Sequence, residues 1–142
     1  MQAMDISRTG LDVEWRRMEV VAENIANAST VRTATGAPYR AMRLVSGPKG
    51  RFADYLAAGG VDGRLQGVDV YGVEPIDLPP RRVHEPQNPQ ADADGYVTYP
   101  GFDHAAEMTL MIKTSRAYEA NIVAMNAARQ MYIRAMDLGK KS

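Results

Sequence analysis

The chain has 142 residues, with 17 basic and 17 acidic side chains, so its formal net charge is zero at neutral pH. This balance argues against nucleic acid or an anionic membrane surface as the main partner. The chain contains no cysteine, which excludes disulfides, thiolate zinc sites and cysteine nucleophiles. It also has no run of about 18 apolar residues that would predict a membrane span.

The N-terminal segment is predicted to form a helix over about residues 5–29, capped by Asp5 or Ser7. Its apolar stripe has a seven-residue spacing and consists of Met4, Leu11, Met18 and Ile25, with Val21 and Ala28 beside it. Gly10 lies inside this helix at a cost of about 1 kcal/mol relative to Ala, which indicates a bend or a close approach. The first eleven residues lack a basic segment followed by an apolar stretch, so we expect no cleaved Sec-type signal peptide.

The middle of the chain, residues 31–102, carries all eight prolines and ten of the twelve glycines. Residues 39–45 and 67–73 resemble short strands, because β-branched residues alternate there with polar or small ones. The prolines from Pro75 to Pro89 favour an extended chain. We therefore expect a small β unit with long extended connections and no large core.

The C-terminal segment is predicted to form one long helix over about residues 103–138. Asp103 follows Pro100-Gly101 and is a good N-cap, Glu107 suits the positive helix end, and Gly139 followed by two lysines is a good stop. A helix of this length would extend for roughly 50 Å at about 1.5 Å per residue, well beyond a compact domain of this size.

Two apolar rows cover most of this long helix. The first row is Met108, Met111, Ser115, Tyr118, Ile122, Met125, Arg129, Tyr132 and Met136. The second row is Leu110, Ala117, Ala120, Ala124, Ala127, Ala128, Met131, Ala135 and Leu138. A helix on the surface of a monomer needs only one apolar stripe. We therefore expect the first row to pack on the N-terminal helix and the Ala-rich row to pack on another subunit.

Several motifs that suggest chemistry have simpler explanations. Asp92-Ala93-Asp94-Gly95 resembles part of a calcium loop, but the first and last ligand positions fall on Gln90 and Gly101, so a turn whose Asp side chains accept from nearby amides is favoured. Neither His84 nor His104 has a second ligand or a nucleophile at a useful spacing. The glycines at 59, 60 and 63 do not form a phosphate-binding loop. We predict no catalytic, cofactor-binding or metal-binding residue.

Asn24 and Asn27 are unusual because asparagine is a poor residue inside a helix. One role is helix termination, and the other is hydrogen bonding to a neighbouring helix or subunit that fixes register. The residue types alone leave both roles open.

The terminal segments carry a resemblance to a known family. Ile6-Ser7, Gly10-Leu11 and residues 22–30 (AENIANAST) resemble the N-terminal signature of flagellar rod and hook proteins. Residues 35–40 (TGAPYR), 88–97 (NPQADADGYV), 115–121 (SRAYEAN) and 124–128 (AMNAA) narrow the resemblance to the proximal members of the flagellar basal-body rod protein family. The resemblance is weaker over residues 46–66.

This resemblance implies a structural subunit of the flagellar proximal rod. It implies export without a cleaved signal through the flagellar type III export apparatus, into a rod that crosses the periplasmic space, transmits torque and encloses the export channel. Implied partners are other rod proteins, copies of the chain itself and the membrane ring, with no cofactor, small-molecule substrate or nucleic acid. The rival hypotheses are a cytoplasmic helical-hairpin adaptor and an enzyme with a β-rich active site, which lacks convergent catalytic groups.

The predicted fold is mainly α with a small β region, in which long N- and C-terminal helices pack as a coiled-coil-like pair around a Pro- and Gly-rich middle. Residues 1–30 and 103–142 would form a helical core domain, and residues 31–102 the β and extended region. The predicted intrachain helix packing involves Leu11, Met18, Val21, Ile25, Tyr118, Ile122, Met125 and Tyr132. The predicted intersubunit interface involves Asn24, Asn27, Leu110, Ala117, Ala120, Ala124, Ala128, Met131 and Ala135.

Overall fold

The structure, a computed structural model, describes residues 2–50 and 66–140 of the chain. The glycines at 59, 60 and 63 lie outside the described residues. In chain order the elements are α1 (Gln2–Ala26), β1 (Met42–Pro48), β2 (Val68–Pro75), β3 (Arg81–His84), β4 (Tyr96–Tyr99) and α2 (His104–Gly139). The mainly helical fold with a few antiparallel strands in the middle is therefore confirmed.

Helix α1 begins earlier than predicted, at Gln2, so neither Asp5 nor Ser7 is its N-cap. It ends at Ala26 as expected from the asparagine-rich sequence that follows. The Asn27 side chain donates from Nδ2 to the Glu23 carbonyl oxygen at 2.9 Å and accepts from the Thr30 hydroxyl at 3.1 Å. These bonds satisfy the last turn and direct the chain out of the helix.

Strands β1 and β2 form an antiparallel pair, in register from Met42 opposite Pro75 to Pro48 opposite Val68, with a bulge between Val45 and Ser46. The pair lies on one side of α1. Val13 and Val20 of α1 and Leu44 of β1 are 4%, 4% and 7% exposed, and they form the core of this contact. The predicted strands over 39–45 and 67–73 are therefore present, with their ends shifted toward the C-terminus.

Strands β3 and β4 form a second antiparallel pair, with Arg81 opposite Tyr99 and His84 opposite Tyr96. Our prediction of extended connections missed this hairpin, because β3 contains only one apolar residue, Val83. Cross-strand contacts of arginine with tyrosine stabilise the pair instead. The Arg82 guanidinium carbon lies 4.7 Å from the centre of the Tyr96 ring.

Helix α2 has 36 residues and no proline, and its first turn is capped by Asp103, whose side chain accepts from the Ala106 amide at 3.0 Å. This cap and the end at Gly139 confirm the predicted boundaries. Of the described helices and strands, α2 packs on α1 alone. No helix in the described part of the chain combines the length and apolar character needed to cross a membrane.

Candidate functional site

Two contacts define how α1 and α2 lie along each other. Asn24 of α1 donates from Nδ2 to the Glu107 carboxylate of α2 at 3.2 Å. Gly10 lies against Asn121, because a Cβ atom at position 10 would be 2.7 Å from Asn121 Oδ1. The two α1 residues are fourteen positions apart, and so are their two partners on α2, but the order along the chain is reversed. The helices are therefore antiparallel and keep one register over about 21 Å at about 1.5 Å per residue.

The seam between the helices consists of small and polar side chains. Glu107, Thr114 and Ala128 of α2 are 7%, 2% and 9% exposed, and they follow each other at intervals of seven or fourteen residues. Asn121 occupies the remaining position of this series. On a helical wheel of about 100° per residue, the series runs between the two apolar rows of α2. The apolar pattern did not predict this series, because three of its four members are polar.

Asn24 lies inside the subunit, with 0% of its surface exposed. Its Nδ2 also donates to the Met42 carbonyl at 2.7 Å, and its Oδ1 accepts from the Met42 amide and the Tyr39 hydroxyl, both at 2.9 Å. With Glu107 this completes the four bonds that an asparagine side chain can make. The assignment of Asn24 to an intersubunit interface is therefore corrected. Its side chain joins α1, α2 and the start of β1 within one chain.

The Tyr39 hydroxyl is affected by this polar junction. Partial burial raises the pKa of Tyr39, and the nearby carboxylates of Glu23 and Glu107 raise it further, because each disfavours a tyrosinate. The hydroxyl therefore stays protonated and donates to Asn24.

Helix α2 extends past the beginning of α1. In the observed register Gln2, the first residue of α1, is opposite position 129, so residues 130–140 of α2 lie beyond α1, and every one of them is exposed. Tyr132 was predicted to pack on α1, but it lies on this overhang and is 43% exposed. That prediction is corrected, because the register places Tyr132 beyond Gln2, the residue at which α1 begins. Other large apolar residues exposed on the overhang are Met131, Ile133, Met136 and Leu138.

The remaining residues predicted for helix packing lie on one flank of the helix pair. Val21 is 1% exposed. Leu11, Met18, Ile25, Tyr118, Ile122 and Met125 are half-buried. Trp15 identifies this flank, because its ring centre is 6.1 Å from that of Tyr118, although Trp15 itself is 56% exposed.

The Ala-rich row lies on the other flank of α2. Leu110 and Ala117 are half-buried, and Ala120, Ala124 and Ala135 are exposed. Met131 of the same row is 65% exposed. Ala128 differs from the rest, because it lies in the seam with α1 and is buried within the chain. The row without Ala128 consists mostly of alanines, on which another helix can approach closely.

The motif at Asp92 forms the predicted turn. Asp92 Oδ1 accepts from the amides of Asp94 and Tyr96 at 3.1 and 2.8 Å, and Oδ2 accepts from Arg82 at 2.6 Å. These bonds, with the Tyr96 amide contributing most, lower the pKa of Asp92. Both carboxylate oxygens are thus engaged inside the β3–β4 hairpin.

Each histidine lies against an aromatic ring. His84 lies against Tyr96, with ring centres 5.0 Å apart, and His104 lies against Phe102 at 5.8 Å. Within residues 2–50 and 66–140, no three His, Asp or Glu side chains are placed to hold one metal ion. The site with the clearest geometry is therefore the helix pair, with its half-buried flank and its Ala-rich flank.

Known protein families match this chain at its two terminal helices. Residues 4–32 match the family model described as flagella basal body rod protein. Residues 93–138 match the model described as flagellar basal body rod FlgEFG protein C-terminal. The helices that form the seam are thus the segments that define the class of flagellar basal-body rod proteins.

Relatives that match over nearly the whole chain indicate which family of rod proteins it belongs to. The flagellar basal-body rod protein FlgC of Salmonella typhimurium is 36% identical over 140 residues, which is 99% of this chain and 98% of that protein. The FlgC proteins of Borreliella burgdorferi and Bacillus subtilis are 36% and 33% identical, over 94% and 97% of this chain and 93% and 97% of their own lengths. The chain belongs to the FlgC family of flagellar basal-body rod proteins.

Proposed function

We propose that this chain is a structural subunit of the flagellar proximal rod and that it polymerises, with other rod proteins, through its terminal helices into a tube. Family membership supports a structural role in the basal body in place of catalysis. The uncovered apolar surface of α2 supports assembly through that helix. Soluble monomers seldom expose large continuous apolar patches unless the patch is an interaction site.

The finer organisation is also part of the proposal. Residues 1–30 and 103–142 form a helical core that packs in the manner of a coiled coil, and residues 31–102 form an outer β region. The half-buried flank that contains Leu11, Met18, Tyr118, Ile122 and Met125 holds the two helices of one subunit together. The tube built from these helices transmits torque and encloses the export channel.

The intersubunit interface is proposed to be the Ala-rich flank together with the overhang of α2. Its residues are Leu110, Ala117, Ala120, Ala124, Met131 and Ala135, and Asn27 contributes at the end of α1. Small side chains let helix backbones approach closely, and Met131 adds a flexible apolar contact. Charged groups would be costly there, because assembly removes them from water.

The route to the rod is proposed from family membership. The chain leaves the cytoplasm through the flagellar type III export apparatus. It then joins the rod in the periplasmic space, where the membrane ring is a further partner.

The first test is deletion of the gene, with rescue from a plasmid, scored by swimming and by electron microscopy of isolated basal bodies. We expect nonmotile cells whose basal bodies contain membrane rings but no completed rod, and recovery with the intact chain. Complete basal bodies in the deletion strain, with no related gene substituting, would contradict the proposal.

A second test addresses the interface. Ala124→Glu places a charge on the Ala-rich flank, so we expect a soluble chain that does not rescue rod assembly. Asn126→Glu is the matched control, because it adds the same charge to an exposed position of α2 outside the two apolar rows and outside the overhang, and it should rescue. If Ala124→Glu also builds rods, this flank is not the interface.

A further inference from the structure

The seam between α1 and α2 repeats every seven residues, so a shift by one repeat again places small residues opposite each other at two positions. The α2 series continues beyond the seam as Glu107, Thr114, Asn121, Ala128 and Ala135, and the α1 series is Ala3, Gly10, Arg17 and Asn24. If α1 moved one repeat toward the C-terminus of α2, Gly10 would face Ala128 and Ala3 would face Ala135. Both meetings pair small residues, so neither produces a clash.

The uncovered overhang favours such a movement. A shift of seven residues would bring α1 alongside Tyr132 and Ala135, which are exposed in the observed register. Burial of apolar surface on the overhang would therefore favour the shifted register. Among the described elements, β1 and β2 pack on α1 and none of the strands packs on α2. The contacts that oppose a movement of α1 with this hairpin therefore lie in the seam and in the segment before α2, where Gly101 packs against Leu78.

The polar contacts of the seam oppose the movement. Glu107 is 7% exposed and accepts from Asn24, and in the shifted register it would lie beyond the end of α1 without that amide. Asn121 fits against Gly10, where a Cβ atom would clash with it, and it would instead meet Arg17. Arg17 is held by Glu14 at 3.1 Å and by the Ser46 hydroxyl at 2.8 Å, so it cannot turn away freely.

We propose that the contacts Asn24–Glu107 and Gly10–Asn121 act as a register lock, which selects one of the heptad-related alignments of α1 on α2. This lock is a property of the single chain and does not depend on the proposed assembly. Buried polar residues at seam positions are known to select helix alignment at some cost in stability, because the wrong alignment leaves them unpaired.

The test measures the alignment directly in the purified full chain. Nitroxide labels are attached to Ala22→Cys and Gln130→Cys, both exposed, and the parent chain has no other cysteine. The lock is removed by Glu107→Leu together with Asn121→Ala. We expect one distance in the labelled parent and a second one, about 10 Å shorter, in the unlocked variant, since seven residues rise about 1.5 Å each.

The matched control is Glu119→Leu with Asn126→Ala, the same two changes at exposed positions of α2, and it should keep the single parent distance. The proposal is overturned if the unlocked variant keeps only the parent distance, or if the labelled parent itself shows no principal distance. Should the unlocked variant lose its helical circular dichroism, Asn121→Ala alone is compared with Asn126→Ala. Asn121→Ala must then show several-fold more of the shorter distance than Asn126→Ala. Equal amounts in the two variants would overturn the proposal.

Discussion

Gly10 and Asn121 lie closer together than any other residue type at position 10 would permit, since an added Cβ atom would be 2.7 Å from Asn121 Oδ1. The amide of Asn121 is fixed on its other side, because Nδ2 donates to the Ala117 carbonyl at 3.0 Å. Glycine at position 10 therefore permits the close approach of α2, although glycine weakens a helix interior.

The contact of Gly10 with Asn121 predicts that the effect of Gly10→Ala on the free energy of unfolding changes sign when Asn121 is replaced by alanine. Gly10→Ala alone should lower the free energy of unfolding by about 1 to 3 kcal/mol, because overpacking outweighs the gain in helix propensity. In an Asn121→Ala background the same change should raise it by about 1 kcal/mol, since only the propensity gain remains. Urea unfolding of the four chains measures both effects. A stabilising Gly10→Ala in the parent would show that the contact is absent.

The junction at Asn24 predicts a large loss of stability. Asn24→Ala leaves the Met42 amide and carbonyl, the Tyr39 hydroxyl and the Glu107 carboxylate without this partner. Unpaired buried groups cost about 1 to 3 kcal/mol each, so we expect a loss of at least about 3 kcal/mol. Asn27→Ala is the control near the end of the same helix and should cost less than about 1 kcal/mol. Similar losses in the two variants would contradict the junction.

The turn at Asp92 predicts an acid transition in the β3–β4 hairpin. The pKa of Asp92 is lowered from its ordinary 3.8, so its ionised form stabilises the folded hairpin above that pH. The stabilisation is lost as pH falls through the lowered value. The NMR shift of the Tyr96 amide should therefore titrate below pH 3.8. Asp92→Asn should remove the titration, and a persistent transition in that variant would assign it to another group.

The Tyr39 hydroxyl predicts a transition at the opposite end of the pH scale. Its pKa is raised above the ordinary 10.0, so the folded chain keeps the proton longer than the unfolded chain. Stability is then full below pH 10.0 and falls as pH rises through the raised value. Tyr39→Phe should start less stable but lose less between neutral and strongly alkaline pH. Parallel pH profiles of unfolding would contradict this account.

Local signals were sufficient to predict both helices. Asp103 and Gly139 mark the boundaries of α2, because capping depends on residues next to each other in the sequence. The β3–β4 hairpin was missed, because the contacts of Arg82 and Arg81 with tyrosines across the pair form only after the strands meet. The seam on α2 was not predicted, because Glu107, Thr114 and Asn121 are polar and only Ala128 of this series belongs to a predicted row.

The sequence did not decide between the two roles of Asn24, helix termination and hydrogen bonding to a neighbouring helix. Asparagine in the last turn of a helix suits termination and suits a buried contact equally well. Its position differs from that of Asn27 by three residues, which turns one side chain into the chain interior and the other toward the end of the helix. Only the placement of Met42 and Glu107 separates these outcomes.

The isolation of α2 from the strands has a mechanical consequence. Among the described elements, a load applied to the β1–β2 hairpin reaches α2 only by way of α1 or along the chain through Pro100 to Asp103. Asn24 lies where the first of these routes crosses from hairpin to helix pair. The stiffness of this contact, in which the Asn24 amide adds to the apolar core of Val13, Val20 and Leu44, therefore determines how faithfully a twist of the hairpin is transmitted to the two helices.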